Sequence, residues 1–382
     1  DLIGEGVPEL VKFDGETTVV SVRDRESGEQ RILVSRDGTA SELDYAVSMK
    51  VRGGGWHSDE DLSLPTGDFT HQSLDDGFEQ FLWQDKDGRF QNALAKHIDG
   101  RCEIFSRTTL KEDIHDVQLI ENSTTMGWVE ISGNGTASLY AAEVDSDESP
   151  PLIPMAILEH SPGNIRACLD PDSGDLTAAW SEDADGQKII RSWSTSGGEK
   201  ILHWDSESDE FSGPAVIDKV SVRGGTTAVL WHDDQRTLLS TDRVEQTPVG
   251  EAGDEIRMVV LENGDTYTAN KAAAPFSDSE LVLRVTRQDG YTQILSTHLS
   301  EINQFELTGS DRAAFVYKVN AGSEDLGEIV RSYPGSAREE RRAIPGQGRW
   351  LLDARTAKSG QVEALVYDTT ADGGRRISKK PL

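Results

Sequence analysis

Cysteine is nearly absent. The 382 residues hold two, Cys102 and Cys168, with no CxxC pair and no Cys/His cluster. That argues against a zinc site. A chain long enough to bury a large core needs no disulfide staple, so two reduced thiols are expected. Positive charge is also short: 38 Lys and Arg face 68 Asp and Glu, for a formal net charge of −30. An excess of that size repels nucleic acid and anionic membrane. It also reads as a solubility adaptation. No apolar run reaches the ~18 residues that a membrane-spanning helix needs. The opening DLIGEGVPEL has neither the basic start nor the apolar stretch of a signal peptide. The cytoplasm is therefore the expected compartment, with export left open because the chain does not begin with Met.

Catalytic signatures are missing as well. There is no GxSxG elbow for a nucleophilic serine. The eight histidines, at 57, 71, 97, 115, 160, 203, 232 and 298, include no HExxH pair. His203 and His232 each neighbour a tryptophan and read as strand-edge residues. No metal and no cofactor are implied.

What the sequence does hold is alternation. Short runs of alternating apolar and polar residues, broken by Gly, Asp, Asn and Ser, are the pattern of many short strands. One unit recurs: a turn residue, an alternating run ending in a bulky residue, then an acidic or Gly turn. Copies include GFEQFLWQDKDG from Gly77, GDLTAAWSEDADG from Gly174 and GTTAVLWHDD from Gly225. The seventh positions of the eight copies are Ser21, Trp83, Trp128, Trp180, Trp231, Asn270, Phe315 and Val366. With further strand candidates between copies, about four strands per ~50 residues is the arithmetic of a propeller blade. Periodicity leaves seven and eight blades open. The recurring tryptophans read as inter-sheet packing, with a ligand-stacking stripe as the rival. WQDKDG, SEDADG and DPDSGD place carboxylates at alternate positions, but none completes a calcium loop. They read as turns.

Two terminal stretches carry a resemblance. From Asp1 to about His57, Arg23, Glu26, Gly28, Arg31, Leu33, Val34, Asp37 and Gly38 lead to Gly53, Gly54 and Gly55. At the other end, GQVEALVYDTTADGGRRISKKPL closes on Lys380, Pro381 and Leu382. Together they resemble prolyl oligopeptidase family serine peptidases, in the branch of acylaminoacyl and dipeptidyl peptidases. The resemblance implies an all-β, seven-bladed propeller over residues 1–346. Residues 347–382 would then be the lead-in and first strand of an α/β-hydrolase domain that this chain does not contain. An eight-bladed propeller is the alternative.

Under the resemblance the whole molecule would hydrolyse short peptides. This chain would gate access and carry no catalytic residue. Peptide substrate and the hydrolase domain are the implied partners, and homo-oligomers stay open. The candidate gating segment is Arg52, Gly53, Gly54, Gly55, Trp56 and His57. The family's Glu-Tyr before the glycines is Val51-Arg52 here, and an arginine prefers a carboxylate to an amino terminus. The rival from another class is a stand-alone propeller that binds a protein or glycan.

Overall fold

The computed structural model describes residues 2–381 apart from 6, 15–16, 25–26, 37–38, 52–54, 58–63, 66–67, 111–112, 122–124, 143–153, 159–163, 171, 185–186, 205–214, 245, 275–276, 296–301, 310–312, 322–325, 333–338, 344–348, 357–361 and 370–374. Among these residues the protein is all-β, as expected, with one short 3-10 turn at Asp75–Gly77. No helix is long and apolar enough to cross a membrane. The chain divides into two compact units, Asp1–Ser161 with Glu363–Pro381, and Pro162–Val362.

The first unit opens with β1 (Leu2–Glu5), followed by β2 (Val7–Asp14), β3 (Thr17–Arg23), β4 (Gln30–Arg36) and β5 (Thr39–Val51). After the short β6 (Gly55–His57) come β7 (Phe69–Ser73), β8 (Phe78–Gln84), β9 (Phe90–Ile98) and β10 (Arg101–Thr109). Strands β2 to β5 pair in sequence, and so do β7 to β10. The two groups join into one nine-stranded sheet because β10 runs parallel to β5, with Cys102 opposite Leu43 and Arg107 opposite Val51. A third group is β11 (Ile114–Leu119), β12 (Met126–Ser132), β13 (Ala137–Ala142) and β14 (Ala156–Leu158).

The second unit repeats the plan. One sheet is β15 (Ile165–Leu169), β16 (Leu176–Ala184), β17 (Gln187–Ser194) and β18 (Gly198–Trp204). The next is β19 (Val216–Arg223), β20 (Thr226–His232), β21 (Arg236–Thr241) and β22 (Thr247–Glu251). Then come β23 (Ile256–Val260), β24 (Thr266–Ala274), β25 (Ser277–Arg287) and β26 (Thr292–Leu295). The last is β27 (Ile302–Gly309), β28 (Ala313–Ala321), β29 (Leu326–Ser332) and β30 (Glu339–Ala343). β31 (Arg349–Thr356) follows in sequence.

The final strands, β32 (Val362–Thr369) and β33 (Arg375–Pro381), form an antiparallel hairpin. The other edge of β33 takes β1, with Leu2 opposite Ser378 and Glu5 opposite Arg376. This pairing does not confirm the count of seven. The strands of the described residues fall into eight groups, and the eighth joins the two ends of the chain. The physical reason is the open edge: a hairpin alone leaves a row of unpaired N–H and C=O groups on β33, and β1 covers them. The sequence boundary expected at 346/347 falls outside the described residues.

All eight repeat positions lie on the second strand of a group: Ser21 on β3, Trp83 on β8, Trp128 on β12, Trp180 on β16, Trp231 on β20, Asn270 on β24, Phe315 on β28 and Val366 on β32. Second strands such as β3, β8 and β12 are buried on both faces, so their alternation serves two cores. On β20, Val229 and Trp231 join a cluster with Ala179 and Ile190 of the preceding sheet, while Ala228 and Leu230 join Met258 and Val260 of the following one. On β8, Phe81 and Trp83 pack with Val19 and Val34, while Phe78 and Leu82 pack with Trp128 and Tyr140. The four tryptophans at repeat positions are 0–4% exposed, which is the packing reading.

Neighbouring sheets also touch at their turns. β19 and β20 are joined by Gly224 and Gly225, both at positive φ (58° and 72°), as a two-residue turn that matches strand twist requires. A Cβ on Gly224 would stand 2.2 Å from the carbonyl oxygen of Glu262 in the next sheet. Gly224→Ala therefore combines a left-handed backbone with a collision against backbone. It is expected to cost roughly 2–3 kcal/mol, read as a lower urea midpoint at unchanged m. An unchanged midpoint would refute the close approach.

Candidate functional site

β8 carries the sequence FEQFLW, in which a Glu and a Gln interrupt a run of large apolar side chains. Both are fully buried. Alternation sends Glu79 toward the β2–β5 group and Gln80 toward the β11–β14 group, and each meets polar partners there.

Glu79 is the centre of the larger cluster. Thr17 Oγ1, on β3, donates to its Oε1 at 2.8 Å, and Arg36 Nη1, at the end of β4, donates to the same oxygen at 3.1 Å. Ser73 Oγ, on β7, donates to Oε2 at 2.9 Å. His71 Nε2 lies 2.8 Å from Oε2 and, facing a carboxylate oxygen, carries the proton. His97 Nε2, on β9, stands 3.8 Å from Oε1. The side chains of His71 and Glu79 are inaccessible to solvent, and that of Arg36 is 22% exposed. Close by, burial pushes the Cys102 thiol well above its ordinary range, Glu79 and Glu103 add to the rise, and Arg36 partly offsets it. Cys102 is a thiol, without thiolate reactivity.

The cluster contains a hydroxyl, an imidazole and a carboxylate, so its order matters. In an acyl-transfer triad the imidazole stands between hydroxyl and carboxylate and takes the hydroxyl proton. Here the carboxylate stands between: Ser73 and His71 both donate to one oxygen of Glu79. Ser73 donates its hydrogen bond to the carboxylate rather than to the imidazole, and the His71 and Glu79 side chains are closed to solvent. The arrangement does something else well. It pairs a buried carboxylate with donors from β3, β4 and β7, and so ties the β2–β5 group to the β7–β10 group.

Gln80 does the matching work on the other face. Gln72 Nε2 donates to Gln80 Oε1 at 2.7 Å, Gln80 Nε2 donates to Asn92 Oδ1 at 3.0 Å, and the backbone N–H of Gly127 on β12 donates to Gln80 Oε1 at 3.1 Å.

A second imidazole–carboxylate pair lies at the surface of the second unit. His232 Nδ1 is 3.0 and 2.9 Å from the two oxygens of Asp218, with the side chains 30% and 37% exposed. No hydroxyl or thiol hydrogen-bonds to its ring among the described residues.

WQDKDG and DPDSGD are turns where they are described, while the described part of SEDADG, Ser181–Ala184, lies on β16. Asp85 Oδ1 accepts from the backbone N–H groups of Asp87 and Arg89, both at 2.9 Å. Burial pushes its carboxyl up, but those two hydrogen bonds and the Arg89 charge outweigh burial and hold it below the usual range. Asp170 accepts likewise from the N–H of Asp172, and Asp233 from those of Gln235 and Arg236. Part of SEDADG, residues 185–186, lies outside the described residues. Among the described residues no three His, Cys, Asp or Glu side chains could hold a metal ion together.

Of the gating segment, Arg52, Gly53 and Gly54 lie outside the described residues. Gly55, Trp56 and His57 form β6, antiparallel to the end of β5 with Val51 opposite Gly55 and Met49 opposite His57. Sequence reasoning missed Glu79 and His71. The available signal was FEQF: a strand apolar at both parities has no solvent face, so its Glu and Gln must find partners inside.

The chain matches no family model and no curated protein. Solved structures similar to it include a prolyl endopeptidase at 10% identity and a TM-score of 0.48, covering 96% of this chain and 55% of that one. Another is the β-propeller domain of the Trilobed protease from Pyrococcus furiosus, at 9% identity and 0.43, covering 100% and 96%. A third is an ulvan lyase of polysaccharide lyase family PL25, at 11% identity and 0.44, covering 98% and 93%. The chain spans about half the length of the prolyl endopeptidase. These proteins differ in chemistry, and likeness at this level assigns none of it to the chain. The fold rests on the strand groups above.

Proposed function

We propose that this chain is a β-propeller of eight sheets that acts as a protein-binding scaffold and performs no chemistry within its own residues. The observation that carries the reading is the pairing of β33 with both β32 and β1. The stretch that resembles a hydrolase lead-in then belongs to a sheet like the others. The sealed, wrongly ordered Ser73–Glu79–His71 group adds support. The net charge of −30 selects partners with basic surfaces.

A second reading is favoured by the two terminal resemblances. In it the same scaffold roofs a serine-peptidase domain continuing past Leu382. That domain would supply nucleophile, base and oxyanion donors. Arg52–His57 would border the substrate path, with Arg52 turned to a carboxylate.

Both readings are tested on the native protein from its source cells, by intact mass and by labelling with a fluorophosphonate. The scaffold reading expects no label on any polypeptide that contains this sequence. A labelled species much heavier than 41.8 kDa overturns it and establishes the peptidase reading.

A further inference from the structure

Among the described residues, five of the six exposed large apolar side chains stand at or just ahead of a sheet margin. Ile157 lies on β14, Ile201 on β18 and Ile294 on β26, while Met155 and Tyr291 lie just ahead of β14 and β26. Each of these strands is the marginal one of its sheet. Sheet margins are usually blunted with charge, proline or a cover, because unpaired backbone groups there recruit other strands. On β14, β18 and β26 the margin carries an exposed isoleucine instead.

β14 is the clearest case. It pairs with β13 through Ala137 opposite Leu158, Ser138 opposite Ile157 and Leu139 opposite Ala156. No strand pairs with its other edge among the described residues. Exposure alternates along it: Met155 is 53% exposed and Ile157 55%, while Ala156 and Leu158 are partly covered. The strand and the two residues ahead of it, 154–158, carry no charge. In sequence it follows a run that holds Glu143, Asp145, Asp147 and Glu148 and no base.

We propose that β14 is a docking strand, and that its occupant is an extended segment of a partner protein in which basic and apolar residues alternate. This deepens the scaffold reading and rests on it. The occupant's backbone would pair with the open edge of β14, which supplies affinity without sequence demands. Its apolar side chains would cover Met155 and Ile157. Its lysines or arginines would answer the acid excess. A second copy of this chain is a poor occupant, since it would bring the same negative charge to the same edge.

The test uses the full chain and an acetylated seven-residue peptide of alternating Lys and Val, followed by fluorescence anisotropy at physiological salt. Saturable binding is expected, weakened at least tenfold by Ile157→Lys and unchanged by Ile98→Lys, an exposed isoleucine on β9 away from any margin. A peptide with Glu in place of Lys is expected not to bind. Circular dichroism checks that both variants keep the native strand content. Absence of saturable binding, or equal loss in both variants, overturns the docking strand. So does a concentration-dependent dimer that Ile157→Lys abolishes, which would make the edge a contact between copies. None of these outcomes touches the scaffold reading, which stands or falls on fluorophosphonate labelling.

Discussion

Glu79→Ala is expected to cost about 3–5 kcal/mol of folding stability, the range for removing one partner of a buried charged group. The loss arises on several strands together. Arg36, His71, Ser73 and Thr17 all give up the acceptor that holds them. For Thr17 and His71 the loss falls where the side chain is buried. Glu79→Gln keeps the shape and one acceptor oxygen but removes the charge, and should fall between the wild type and the alanine variant. Denaturant unfolding followed by tryptophan fluorescence reads both. A loss below about 1 kcal/mol for Glu79→Ala would place the group among ordinary exposed ion pairs and defeat its role as an inter-sheet tie.

Trp128→Ala is expected to be as costly, about 3–5 kcal/mol from lost burial and the cavity left behind. The indole is 1% exposed and stacks on Tyr140 with ring centres 4.7 Å apart and planes within 7°. Its Nε1 also donates to Glu130 Oε1 at 3.0 Å, and Glu130 is itself 4% exposed. Trp128→Phe separates the two contributions. It retains most of the packing and removes the hydrogen bond to a buried carboxylate, worth about 1.5–3 kcal/mol. If phenylalanine restores full stability, the tryptophans are there for volume alone. If alanine costs little, the ring is not part of the core, and the ligand-stacking alternative returns.

The sheets were legible because their signal is local. Alternation, a turn residue before each run and a bulky seventh position are all visible within a dozen residues, and those positions fall on the second strand of every group. Asp85, Asp170 and Asp233 were legible as turns for the same reason: the carboxylate bonds backbone N–H groups within four residues of itself. What escaped depends on distance along the chain. Thr17 and Arg36 reach Glu79 across 62 and 43 residues. Nothing in either neighbourhood names the other, and 68 acids offer too many candidates. The pairing of the first and last strands escaped for a similar reason. A strand near Leu2 and a hairpin near Pro381 declare themselves separately, and only their pairing makes an eighth group. The hand-over from one group to the next escaped as well: residues 43–51 of β5 run parallel to β10, more than fifty residues on in sequence.

That union of the two ends also sets an order of events during synthesis. Leu2 leaves the ribosome well before its neighbour Ser378, by an interval on the order of tens of seconds at usual elongation rates. Throughout that time the nascent chain can assemble its inner groups but must keep its leading strand unmated and vulnerable to mispairing. The pairing of β1 is therefore a late closure, made only once the hairpin that receives it has been translated.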